Sequence, residues 1–211
     1  MKINYIGIVA SIIAFISLAL PWWIMAMSVT GEYMGTQETM SADVSLYTYD
    51  ARSSVKIMIV ETRVETSKSI VDGFSIWYGY TALALIAIAS FTGIVGSLIV
   101  GKNGKMILAV TGILALVSII IFAVGLQSEL SRLNKTAGET LPDFAELSLV
   151  PLPQLSLFSS NSYSFMGVSL SYSSYLTFGF WLALIAAITA FTSLGKHPMA
   201  PPVAPPTPKS Q

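Results

Sequence analysis

Four long stretches of this chain carry no charged residue: Tyr5–Met27, Tyr78–Val100, Met106–Leu126 and Tyr175–Leu194. Nothing else in the sequence restricts the fold as strongly. A helix needs about 20 apolar residues to cross the ~30 Å hydrocarbon core of a bilayer, and each run reaches that length. A helix also satisfies its own backbone hydrogen bonds, which hydrocarbon cannot do. Only 10% of the 211 residues are charged, against about a quarter in soluble domains. The expected fold is an integral membrane protein, mainly α, with a bundle of four transmembrane helices and the lipid bilayer as its first partner. The first run follows Lys2 as a signal sequence would, but its apolar length exceeds a usual signal h-region. A retained span is therefore expected.

The charges give an orientation. Four spans divide the chain into an N-terminus with the first span (1–27), a long segment 28–77, two spans joined by a short hairpin (78–126), a second long segment 127–174, a fourth span (175–194) and a tail (195–211). The N-terminus, hairpin and tail must share one side. They hold Lys2, Lys102, Lys105, Lys196 and Lys209, and no acid. All eleven Asp and Glu lie in the two long segments, with six Lys or Arg. Short basic segments stay in the cytoplasm, so both termini are predicted inside a plasma membrane and both long segments outside. The rings of Trp22, Trp23, Trp77, Tyr78, Tyr80, Tyr172, Tyr175 and Trp181 fall at or near the predicted outer ends of spans, where amphipathic aromatics favour the headgroup layer. Asn134-Lys135-Thr136 is a glycosylation sequon on the same side, which makes Asn134 a candidate acceptor.

Small residues at helical spacing mark contact faces, because lipid gives helices no hydrophobic reason to associate. The first run offers Gly7, Ser11 and Ala14, the second Ala89, Gly93 and Ser97, the fourth Gly179, Ala183 and Ala187. Internal packing is the expected use, with a partner protein as the alternative. Pro21 is expected to bend or end the first helix.

The outer segments read as strands. Asp43–Tyr49 alternates, Val55–Glu65 is rich in β-branched residues with Glu61, Arg63 and Glu65 on one face, and Tyr163–Tyr172 alternates with a phase shift at Met166-Gly167 that predicts a bulge. Isolated hairpins are marginal, so one small extracellular antiparallel sheet is expected, mostly from the first segment and completed by Tyr163–Tyr172. Gln127–Lys135 reads as a polar helical stretch.

This layout resembles the claudin/PMP22-like tetraspan superfamily. Ala19-Leu20-Pro21-Trp22-Trp23 is similar to the Leu-Pro-x-Trp that ends the first span in many claudins. Ser45-Leu46-Tyr47-Thr48-Tyr49-Asp50 is similar to the Gly-Leu-Trp/Tyr-x-x-Cys that follows, with Leu46 and Tyr47 matching. Both family cysteines are missing, and Asp50 stands where the first would fall. The resemblance implies adhesion, barrier formation, membrane organisation or an auxiliary-subunit role, without catalysis.

The residues themselves argue the same way. None of the four runs contains an ionisable group, the default sign of proton relays and ion paths. The single histidine, His197, falls in the predicted inner tail and reads as a solvated residue. With no cysteine, it cannot build a structural zinc site, and no histidine lies outside to activate a serine. Asp143 and Glu146 read as hydrated carboxylates, and Gly101–Lys105 as a turn. No catalytic residue, metal, cofactor or nucleic-acid partner is expected. The Pro-rich tail reads as extended and mobile, with an aromatic groove on a cytoplasmic partner as its functional use. Three functions remain in order: an interaction, adhesion or envelope-organising protein working through its outer sheet, alone or as a homo-oligomer; an accessory subunit of a larger respiratory, oxidase or transport complex; and a small-solute pore. The hydroxyls at Thr81, Ser90, Thr92, Ser97, Thr111, Ser118 and Thr189 are too scattered to line a pore.

Overall fold

In a computed structural model, the described residues are 3–33, 36–59, 62–69, 76–140, 154–165 and 167–198. Lys2, Glu61, Pro142, Asp143, Glu146, Pro151, Pro153, Met166 and the Pro-rich tail beyond Pro198 lie outside them.

Three helices are long and apolar enough to cross a membrane: α2 (Trp77–Leu98), α3 (Lys102–Thr140) and α4 (Phe178–Gly195). The fourth expected span is absent. Helix α1 covers only Tyr5–Ser17, 13 residues that rise about 20 Å. The bundle of four spans is thereby corrected to three candidate spans and one shorter apolar helix. The cause is local. Leu18, Ala19 and Leu20 donate to Phe15, Ile16 and Ser17 in tight i→i−3 bonds, the pattern that closes helix ends. Pro21 has no N–H to continue the ladder. The Trp22 N–H then bonds the Leu46 carbonyl at 2.8 Å, and the rest of the apolar run enters a strand.

That strand opens a larger sheet than expected. Strands β1 (Trp23–Tyr33), β2 (Thr36–Leu46), β3 (Ala51–Ile59), β4 (Thr62–Ser69), β5 (Ser159–Phe165) and β6 (Val168–Leu176) form one antiparallel sheet in the order β4-β3-β2-β1-β6-β5. β1 is central, pairing with β2 through Trp23↔Leu46 and with β6 through Trp23↔Leu176. Two expectations change. Val55–Glu65 is not one strand but parts of the antiparallel pair β3 and β4. The phase shift near Gly167 is not a bulge. The chain reverses there, Phe165 pairs with Val168, and Gly167 takes φ 80°, a conformation that glycine adopts without a Cβ clash. Residues that flank a reversal share a face, which looks like a phase shift in one dimension.

The base is also tighter than expected. Helix begins at Lys102, so the predicted turn 101–105 shrinks to the residues around Gly101, whose φ is 94°. At the other end the polar stretch after Leu126 continues α3 without a break.

Helix α1 packs between α2 and α4, and α3 packs against both α2 and α4. The core runs from this layer up into the sheet. Trp22 is fully buried, with its ring 4.9 Å from Phe122 and 6.0 Å from Phe180, and Tyr78 lies 5.7 Å from Phe122. Replacing Trp22 by Ala removes the centre of that cluster, with an expected loss of about 3–5 kcal/mol. Trp77→Ala, at a residue 61% exposed, is expected to shift stability by about 0.5 kcal/mol or less. Thermal unfolding of both variants in one detergent checks the contrast.

Candidate functional site

Successive side chains of a strand point to opposite faces, and residues directly opposed across strands share a face. The register therefore sorts the sheet. One face carries Trp23, Met25 and Val44 with Leu46, Ala51 and Leu176, and packs on the core. The other face is polar. Across β2-β1-β6-β5 its rungs read Asp43–Ala26–Ser173–Ser160, then Ser41–Ser28–Ser171–Ser162, then Thr39–Thr30–Ser169–Ser164. Ten of these twelve positions carry a hydroxyl. Thr30 and Thr39 lie 3.4 Å apart through their hydroxyls, and Ser164 and Ser169 3.3 Å apart.

The first two rungs enclose a trough of about 370 Å³. Ala26 is the smallest side chain of its lining. Asp43 is the carboxylate of the lining. On β3, Asp43 faces Ser54, with Arg52 and Lys56 as its two diagonal neighbours, a separation of about 7–8 Å. Arg52 donates to Asp50 at 2.7 Å and lies 5.3 Å from the centre of the Tyr47 ring. The hydrogen bond and charge of Asp50 raise the guanidinium's already high proton affinity, so Arg52 is a fixed cation.

Two residues nearer the helices, the same face ends in Ile24 and Tyr175, which oppose each other. They also line an apolar groove of about 390 Å³ with Leu20, Pro21, Phe178 and Trp181. Phe178 is 79% exposed, Tyr175 46% and Trp181 44%. The groove walls are held by backbone bonds between chain segments far apart in sequence. The Thr177 N–H donates to the Trp22 carbonyl at 3.0 Å and the Gly179 N–H to Pro21 at 3.1 Å. The Thr177 hydroxyl donates to Pro21 as well. A Cβ on Gly179 would fall 2.6 Å from the Pro21 carbonyl oxygen, so glycine permits this approach.

The core-facing side of the sheet is covered by residues 154–158. The Ser174 hydroxyl donates to the Ser156 carbonyl at 2.7 Å, and the Trp23 indole to Leu157 at 3.3 Å. Asn134, on α3, clamps this segment from below, donating to the Leu155 carbonyl and accepting from its N–H, each at 2.8 Å. The candidate glycosylation amide is thus engaged in the fold. One turn down, Glu129 is buried and held by Arg132 at 2.6 Å.

At the far end of the helices the structure gathers a polar node. The Asn4 side chain caps α1 by accepting from the Gly7 N–H at 3.3 Å. Its NH₂ donates to the Ser193 carbonyl at 3.1 Å and faces His197 Nδ1 at 3.2 Å. An amide NH₂ only donates, so Nδ1 accepts and the ring proton sits on Nε2. His197 is 6% exposed, which corrects the expected solvated residue. The chain folds back beyond α4, where Gly101 N–H bonds the Pro198 carbonyl at 3.0 Å. Gly104 leaves the room, since a Cβ there would lie 2.7 Å from Nε2. Lys102, Lys105 and Lys196 are exposed around this node.

The predicted packing residues all face inward. Gly7, Ser11, Ala14, Ala89, Gly93, Ser97, Gly179, Ala183 and Ala187 are buried. A Cβ on Gly7 would overlap the Ser97 hydroxyl, and one on Gly93 the Ser11 hydroxyl. The scattered hydroxyls bond helix carbonyls: Thr81, Ser90, Thr92, Ser97, Thr111 and Thr189 on their own helix and Ser118 on Ala82 of α2. Among the described residues no three His, Asp or Glu side chains converge as metal ligands would.

Sequence reasoning missed the hydroxyl face. Of its twelve positions only Ala26 lies in an apolar run read as helix; Ser28, Thr30, Thr39, Ser41, Ser160 and Ser162 lie in stretches to which no strand was assigned, and the serine alternation in Ser169-Leu170-Ser171-Tyr172-Ser173 was the signal available. No protein-family model matches the chain, and no curated protein matches it. Pro21-Trp22 and Leu46-Tyr47 meet through the Trp22–Leu46 bond.

Asn4→Leu strips three partners from the node at once. It is expected to cost about 1–3 kcal/mol, the penalty of a buried polar group left unpaired, read as a lower melting temperature of the detergent-solubilised chain.

Proposed function

We propose that this chain is a non-catalytic, membrane-anchored interaction protein that presents the hydroxyl face of its sheet outside the cell, with the Asn4–His197 node and its lysines in the cytoplasm. The supporting observation is the sheet itself. A three-by-four array of positions, ten of them Ser or Thr, points away from the core, beside a helical layer composed to sit in lipid. Over β2, β1, β6 and β5 Asp43 is the one charged position of the array, whereas on β3 the same face continues with Arg52, Ser54 and Lys56. Short hydroxyls leave the backbone approachable and offer both donors and acceptors.

The accessory-subunit reading draws less support. It relied on small-residue stripes to hold a partner helix, and those stripes are occupied by the chain's own helices. The basic residues at the node favour the cytoplasmic side by the positive-inside rule, which supports the orientation and a plasma-membrane location.

The chain contains no cysteine, so single cysteines report topology cleanly. Ser162→Cys is expected to react with a membrane-impermeant maleimide on intact cells, and Lys105→Cys only after permeabilisation. The reverse pattern refutes the orientation. A photo-crosslinking residue at Ser28 is expected to trap a cell-envelope component or a second copy of the chain. Adducts from a lipid-facing helix position such as Ile113 and none from Ser28 favour the accessory role instead.

A further inference from the structure

The polar trough and the apolar groove lie end to end along one face of β1 and β6. Ala26 and Ser173 line the trough, and Ile24 and Tyr175, two residues along the same strands and on the same face, line the groove. The step between them is about 7 Å. Each cavity falls in the size range of small-ligand sites, about 300–1,000 Å³. The groove starts where the apolar helices α1 and α4 meet the sheet, so it opens at the depth where hydrocarbon gives way to headgroups. A ligand that fills both must be amphipathic along its length.

The charges narrow the headgroup. An anion in the trough would meet Asp43, and a cation would find no second carboxylate in the lining. Serine hydroxyls both donate and accept, and a carboxylate accepts from two neighbouring hydroxyls at once. That set suits an uncharged, many-hydroxyl group. We infer that the trough and groove together bind a membrane lipid with a neutral sugar headgroup, the sugar lying over Ala26 between Asp43 and Ser173, and an acyl chain running down past Ile24 and Tyr175 to Phe178 and Trp181. This rests on the proposed function only in taking the hydroxyl face as the working surface. Tyr175 suits the boundary between the two parts, since its ring is apolar and its hydroxyl is not.

Trp181 supplies the readout. The purified full chain is placed in phosphatidylcholine nanodiscs doped with one dibrominated lipid at a time: a glucosyl-diacylglycerol, phosphatidylcholine or phosphatidylglycerol. Bromine quenches tryptophan on contact, and the component of quenching lost in Trp181→Phe reports the groove. The glucosyl lipid is expected to quench at a dose about tenfold lower than phosphatidylcholine, the effect of one or two extra hydrogen bonds. Ala26→Phe fills the trough and is expected to abolish that preference, so that the glucosyl lipid quenches only at the dose of phosphatidylcholine. Ser28→Ala with Ser171→Ala, which removes hydroxyls without adding bulk, is expected to weaken the preference and guards against misfolding of the first variant. Equal doses for all three lipids, or a preference that survives both variants, overturns the inference. A preference for phosphatidylglycerol overturns the neutral headgroup. Free methyl glucoside competing at the same concentration as the lipid assigns the trough to soluble sugar and overturns the lipid. Lipid preference lost with Ser28 adducts intact defeats this inference alone; adducts absent with lipid preference intact defeats the interaction role alone.

Discussion

Everything above the helices depends on one demand: backbone polar groups that leave a helix near hydrocarbon must find partners at once. The chain leaves the helical layer after Ser17 and re-enters it at Phe178, and the two passages satisfy each other. Trp22 N–H takes the Leu46 carbonyl, Trp22 gives its own carbonyl to Thr177, and Pro21 gives its carbonyl to Gly179. The sheet is therefore not a cap set on top of a finished bundle. Its central strand is the direct continuation of α1, and its register is fixed by the same bonds that end α1 and start α4. Buried Trp22 fills the joint, with its indole N–H bonded to the Ser17 carbonyl at 2.9 Å.

The three long helices are legible in the sequence because length decides them: an uncharged run of that size with small residues on one stripe has no other stable form in lipid. Tyr5–Met27 passes the same test of length and fails in three dimensions. Periodicity does not separate a continuous apolar run into helix and buried strand, and the informative residue was Pro21, whose missing N–H ends the ladder. The two merged strand pairs share a cause. Val60-Glu61 and Met166-Gly167 separate paired strands by two residues, too short to register as loops when Gly167 is the only turn residue among the four. His197 was misjudged because its burial depends on Asn4, nearly the whole chain away in sequence.

The site follows the same logic. That small residues would pack helices was readable from spacing. That serines would form a face was not, because the four strands that build it come from segments over a hundred residues apart, and only the register aligns Ser41, Ser28, Ser171 and Ser162. The polarity of the sheet then follows from its neighbours. The face toward α3 and residues 154–158 gained a core and kept apolar side chains, and among the described residues the opposite face met none.

Helix α3 joins these layers as a single rod. It runs unbroken from Lys102, beside the Asn4–His197 node, to Thr140, about 58 Å at 1.5 Å per residue. Asn134 grips the segment that underlies the sheet near its upper end. A rigid arm of that length is a lever: a lean of about 5° at its foot carries its tip sideways by some 5 Å, by the same rise per residue.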